Sequence, residues 1–132
     1  GGLVVCCPIA PFDRTRKLAR QMAEEGGAAF VLVHVATPIE VCAARDRKGL
    51  YARAKRGEIP DFTGITSPYE EPEDADLRVD TSSCSLDELL HQLMVFLTGR
   101  GILSSDAANG LFARWNGTRD AWVTLALQMW RV

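Results

Sequence analysis

The sequence predicts an α/β fold built on a parallel sheet, and three observations predict it. Short, continuous apolar runs recur, as strands buried on both faces require. Helical stretches with recognisable start and stop signals separate them. The order strand, helix, strand, helix, loop, strand, helix is the rhythm of parallel units joined by helical crossovers. With 132 residues, 47% of them hydrophobic, the chain is most simply one domain with a real core.

Leu3–Cys7 is the first apolar run and reads as a buried strand ended by Pro8. Asp13–Glu25 reads as a helix closed by Gly26-Gly27. "FVLVHVA", Phe30–Ala36, is a second buried strand, stronger for its valines. In "TPIE" that follows, Thr37 can cap, Pro38 suits the first helical position and Glu40 completes a capping box. The helix so begun is expected to run to about Lys55 and stop before Gly57. Glu58–Glu73 carries Pro60, Gly64, Pro68 and Pro72 and reads as loop. Leu77–Asp80 is a third, short strand. Ser85 and Glu88 form another capping box, ahead of Leu86, Leu89, Leu90, Leu93, Met94 and Leu97 at helical spacing.

From Thr98 the character changes. Four glycines interrupt the stretch, and it holds all three tryptophans. Asp120–Arg131 fits an amphipathic helix with Trp122, Leu125, Ala126, Met129 and Trp130 on one face. It reads either as a packed terminal helix or as a segment that covers apolar surface of the main domain.

A net charge of −2 argues against general nucleic-acid binding, which needs a basic face. No apolar run approaches a membrane span, and nothing at the start looks like a signal peptide. Cys6, Cys7, Cys42 and Cys84 form no C-x-x-C pair and read as reduced thiols of a cytoplasmic protein. No spacing of ligands suggests a metal. His34 sits inside an apolar strand and His91 on the polar side of a helix, and neither is given a role.

One stretch stands out. Arg45–Arg56 gathers six Lys/Arg against one acid, a local net of +5 in an acidic chain. Such a cluster can neutralise phosphate or sulfate groups, or it can be a solvated helix face. Glu70–Asp80, with six acids against Arg78, could answer part of that charge. Next comes "GEIPDFTGI", which sets Phe62 in a loop of small and turn-forming residues. Phe62 can stack on a nucleobase, making the loop a lid over an anionic nucleotide. Equally, it can pack beneath its own loop.

"RDRKGLYARAKRGEIPDFTGITSPYEEPEDADLRVDT" closely resembles the lid region of adenylylsulfate kinases, whose pattern is R-D-x-K-G-L-Y-x-x-A-x-x-G-E-I-x-x-F-T-G-I followed by P-Y-E-x-P. "PIAPF" is similar to that family's I-S-P-Y segment, and "TPIEVCAARD" to its P-L-x-V-C-x-x-R-D. The resemblance runs from Gly2 to about Leu103. It implies a P-loop-kinase-like three-layer fold, a parallel sheet flanked by helices, with this chain as its C-terminal part and the N-terminal portion missing. Residues 1–103 would be the kinase-like domain and 104–132 a helical tail of unknown role.

The activity implied is transfer of the γ-phosphoryl group of ATP to the 3′-hydroxyl of adenylylsulfate. By resemblance, Ile9, Ala10, Lys48, Asp61 and Phe62 would bind adenylylsulfate, and Arg45 and Cys84 would lie at the ATP. ATP and Mg²⁺ are the cofactors implied for the complete domain, with neither expected to bind this chain tightly. The partners implied are these nucleotides and a second copy in a homodimer, with no nucleic acid and no membrane. Four departures accompany the match. The family's G-x-x-G-x-G-K-S/T loop and D-G-D-x-x-R stretch are absent from these residues, so no catalytic residue is assigned. Ala10 replaces a serine, and Asp61 replaces a glycine of many relatives. The isolated chain is therefore expected to be inactive. The alternative reading is a non-catalytic adenine-nucleotide-binding or interaction module derived from the kinase.

Overall fold

Two short strands, β1 (Val33–Val35) and β2 (Leu77–Val79), pair in parallel with Val33 opposite Leu77, His34 opposite Arg78 and Val35 opposite Val79. They belong to a computed structural model that describes residues 2–117. The ladder extends one bond further, from the Ala36 N–H to the Val79 carbonyl at 2.7 Å. β1 is shorter than the run Phe30–Ala36 because a side chain takes over its upstream end. The Leu32 N–H donates to the Asp76 carboxylate at 2.9 Å, and the Leu32 carbonyl receives the N–H of Asp76.

Helix α1 (Asp13–Glu25) has the bounds its sequence predicts. Its N-cap, Phe12, offers no side-chain bond. Glu70, far along the chain, supplies the cap instead and accepts the Asp13 N–H at 2.6 Å. A carboxylate there satisfies an orphan donor and meets the positive end of the helix. Arg20 ties α1 to the strand ends through Asp76 at 2.9 Å and covers the Phe30 ring at 4.9 Å.

The expected helix from Pro38 to Lys55 is two helices, α2 (Ile39–Arg45) and α3 (Leu50–Lys55). The break has a local cause. The Asp46 carboxylate accepts the N–H groups of Tyr51 (3.1 Å) and Ala52 (2.9 Å), starting a new helix. Gly49, with φ of 67°, makes the turn between the two. The start of α2 also differs from expectation. Thr37 caps nothing in α2. Its hydroxyl meets the Thr81 hydroxyl at 2.7 Å and accepts the Thr81 N–H at 3.0 Å.

Helix α4 (Leu86–Gly99) begins with the predicted capping box. The Ser85 N–H and hydroxyl donate to Glu88, and the Glu88 N–H donates to the Ser85 hydroxyl. Leu89 and Leu97 of its apolar stripe are buried. Helix α5 (Ser105–Gly117) falls in the stretch read as a helical tail, though its bounds were not given by the sequence; Ser104 caps it through the Ala107 N–H. The expected helix Asp120–Arg131 lies outside the described residues.

The run Leu3–Cys7 is not a strand. Leu3, Val4 and Val5 are exposed, and the sheet of the described residues has two strands only, β1 and β2. Apolar sequence becomes strand where a neighbour takes its backbone N–H and C=O groups, and neither strand pairs with this segment. The chain divides into two compact units, Ala10–Leu93 and a second made of Gly1–Ile9 with Met94–Val132. The first holds β1, β2, α1, α2 and α3. Its buried groups include Ala54, Leu89 and two polar side chains, Arg16 and His34. All four cysteines are free thiols. No helix of the described residues is long and apolar enough to cross a membrane.

Candidate functional site

Helix α3 and the loop after it form one ordered unit. The Phe62 ring meets Tyr51 of α3 edge-on, with centroids 5.1 Å apart and planes at 71°. The Phe62 carbonyl accepts the N–H groups of Ile65, Thr66 and Ser67, and its own N–H donates to the Thr66 hydroxyl. Gly64 turns the loop with φ of 81°, and a β-carbon there would sit 2.5 Å from the Ile39 methyl of α2. Phe62 is half-buried. Asp61 beside it is exposed, with φ of 53°.

The positive charge of this region is partly neutralised, and from an unexpected source. Glu58 pairs with both Arg56 (2.5 Å) and Arg53 (3.2 Å). The Arg56 hydrogen bond, helped by Arg53, holds the Glu58 carboxyl below the ordinary carboxylate range. Most of the acidic stretch 70–80 is used elsewhere, Asp76 by Arg20, Glu70 by the start of α1 and Glu71 by Arg78, while Asp80 does feel the charge of Arg45. Arg47 and Lys48 are exposed and have no ion pair among the described residues.

Arg45, at the end of α2, leaves this unit and reaches the segment after β2. It donates to the Thr81 hydroxyl at 2.7 Å and the Thr81 carbonyl at 2.9 Å. In the same turn the Cys84 thiol points to the Asp80 carbonyl at 3.7 Å. Hydrogen bonds from Ser82, and then the charges of Arg78 and Arg45, keep the Asp80 carboxyl below its usual range.

Ala10 opens a third group. Its φ is 42°, a left-handed conformation that costs an L-residue roughly 1–2 kcal/mol. The Arg16 guanidinium holds it there, donating to the Ala10 carbonyl at 2.7 Å and to the Glu70 carbonyl at 2.8 Å. Arg16 is 5% exposed, and its Nε has no hydrogen-bond partner among the described residues. Tyr69 lies beneath that guanidinium and stacks on His34, 6.0 Å away in both contacts.

Arg45 and Cys84 thus share the turn after β2, while Lys48 lies exposed in the turn before α3, the helix whose Tyr51 meets Phe62. Ala10 joins the far end of the Phe62 loop through Arg16. Ile9 belongs to the other unit and is 40% exposed. Tyr51, Arg16 and Glu70 were not singled out from sequence. Only Tyr51 gave a signal, as an aromatic three residues beyond Lys48 in the basic stretch. A shallow hollow lined by Asp13, Lys17, Leu18, Gln21 and Glu70 contains none of the expected site residues. Among the described residues no three His, Cys, Asp or Glu side chains cluster as a metal site would need.

A parallel strand pair joined through helices defines an α/β protein. The adenylylsulphate kinase family matches residues 1–80. The chain belongs to that family. It is 48% identical over 101 residues to a sulfate adenylyltransferase of Aspergillus terreus, covering 76% of this chain and 18% of that one. It is likewise 48% identical over 103 residues to a sulfate adenylyltransferase of Gibberella zeae, covering 78% and 18%. It therefore spans under a fifth of the length of these relatives. The structure of the Mycobacterium tuberculosis APS kinase CysC in complex with AMPPNP and APS superposes with a TM-score of 0.66 at 42% identity, covering 68% of this chain and 51% of that one. The fold is that of an APS kinase, a parallel sheet flanked by helices.

Proposed function

We propose that this chain is the lid-bearing part of an adenylylsulfate kinase, an enzyme that moves the γ-phosphoryl group of ATP to the 3′-hydroxyl of adenylylsulfate. The observation that carries the reading is the family match over residues 1–80, which include Lys48 and Phe62, together with the likeness to a kinase solved with AMPPNP and APS at 42% identity. In this reading Lys48 meets the charged group of adenylylsulfate and Phe62 its adenine. Asp61, Ile9 and Ala10 line the same substrate, and Arg45 and Cys84 flank the adenine of ATP. Residues 1–103 form the kinase-like part, 104–132 its tail, and the enzyme is a cytoplasmic homodimer.

Catalysis itself needs groups these residues do not offer. Phosphoryl transfer depends on a cradle of backbone N–H groups and a lysine around the phosphates. No G-x-x-G-x-G-K-S/T run occurs in the 132 residues. The purified chain, given ATP, Mg²⁺ and adenylylsulfate, is expected to form no product. Product above background that Lys48→Ala abolishes would overturn that expectation. The reading as an enzyme is tested by the coding sequence before Gly1. A phosphate loop in frame supports it, and its absence favours a nucleotide-binding module.

A further inference from the structure

Arg16 is one of two buried polar or charged side chains among the described residues, and it is spent on backbone. Its two terminal nitrogens span Ala10 and Glu70, at 2.7 and 2.8 Å. The Asp13 carboxylate, 3.5 Å away, orients the guanidinium from the same helix. Glu70 ends the loop that carries Asp61 and Phe62, and Ala10 sits in a strained turn. Two further bonds close the seam: the Glu70 N–H to the Pro11 carbonyl (2.8 Å) and the Asp13 N–H to the Glu70 carboxylate (2.6 Å). We infer that Arg16 is a positioning residue, whose fork sets where the Phe62 loop closes relative to Ala10. This rests on the proposed reading that Ala10 and Phe62 face one substrate. A lysine cannot replace it, because an ammonium lacks the fixed two-pronged geometry.

Hydrogen–deuterium exchange of the purified 132-residue chain tests the coupling. In Arg16→Lys, amides from Phe62 to Glu70 should exchange about tenfold faster, the effect of losing a charge-assisted bond on a local opening. Amides of Leu32, Ala36 and Leu77 at the strands, and of Leu89 in α4, should stay at wild-type rates. Asp13→Asn, which keeps the guanidinium and removes its orienting carboxylate, should speed the same loop amides by a smaller factor. Lys17→Ala, which breaks only the outer Lys17–Asp13 pair, should change nothing. Uniform acceleration across all these amides, or none at the loop, overturns the proposal. Should Arg16→Lys fail to fold, Asp13→Asn decides by the same criterion. In the kinase with its phosphate loop, Arg16→Lys should raise KM for adenylylsulfate and leave KM for ATP unchanged. If the wild-type kinase does not use adenylylsulfate, the functional reading fails while the exchange result still judges Arg16.

Discussion

The ring of Phe62 stands edge-on against Tyr51, 5.1 Å between centroids. One contact thereby fastens the loop to the basic helix and leaves Phe62 half-buried, with ring surface still available. Anchoring the loop and stacking on a base are compatible roles for this side chain.

Phe62→Ala, in the kinase with its phosphate loop, should weaken adenylylsulfate binding by about 1–3 kcal/mol, the worth of a base stacked on an aromatic. The loss should depend little on salt, because the ring acts on a neutral base. Calorimetric titration at two ionic strengths measures it. Unchanged affinity would make Phe62 a loop anchor and nothing more.

Lys48→Ala should weaken the same binding with the opposite salt behaviour. Lys48 is exposed and unpaired among the described residues, so its attraction to an anion is screened as salt rises. The difference between wild type and variant should therefore shrink at the higher ionic strength, and ATP affinity should change less than adenylylsulfate affinity. A deficit that stays constant with salt would remove Lys48 from direct charge contact.

Gly64→Ala should cost stability by about 1–2 kcal/mol, the penalty for a side chain in left-handed backbone. The new methyl would also meet the Ile39 methyl at 2.5 Å, which must move. Urea denaturation of the 132-residue chain gives the value. Wild-type stability would mean that the loop does not keep φ of 81° in solution.

How legible these features were depends on their reach along the chain. The bounds of α1 and the Ser85–Glu88 capping box rest on neighbours within one turn, and both were readable. The segment Arg45–Ile65 was readable as a motif of the family that matches residues 1–80. Thr37 was misread because its partner, Thr81, lies 44 residues away. Arg16 looked like one more charge on a polar helix, since its carbonyl at Glu70 is 54 residues distant. The break at Asp46 was hidden for another reason. An aspartate within a helical pattern continues it or starts a new helix, and only the turn at Gly49 decides. Leu3–Cys7 reads as strand by composition, but composition cannot supply the neighbour that a strand requires.

His34 gives a pH prediction. Burial, and then the charge of Arg78 with a smaller push from Arg16 against the pull of Glu71, lowers its pKa below 6.5. The folded chain thus takes up this proton at lower pH than the unfolded chain does. In that window the unfolded state binds more protons, so stability must fall as pH drops below 6.5. The carboxyls held low in the fold, Asp46 and Glu58 among them, have ordinary values of 3.8 and 4.5 and contribute their losses only below these. Urea midpoints between pH 7.5 and about 5 isolate the histidine, and His34→Gln should flatten the slope. Equal slopes in both proteins would exclude His34 as the cause.

The turn at Asp46–Gly49 has a mechanical consequence. With seven residues in α2 and six in α3, neither piece is long enough to hold helical form alone. Each takes its orientation from what it grips: Arg45 at Thr81 for the first, Tyr51 at Phe62 for the second. The two helices are thus oriented by separate contacts on either side of the turn at Gly49. On the proposed reading, one segment follows the nucleotide that gives the phosphoryl group and the other the nucleotide that receives it.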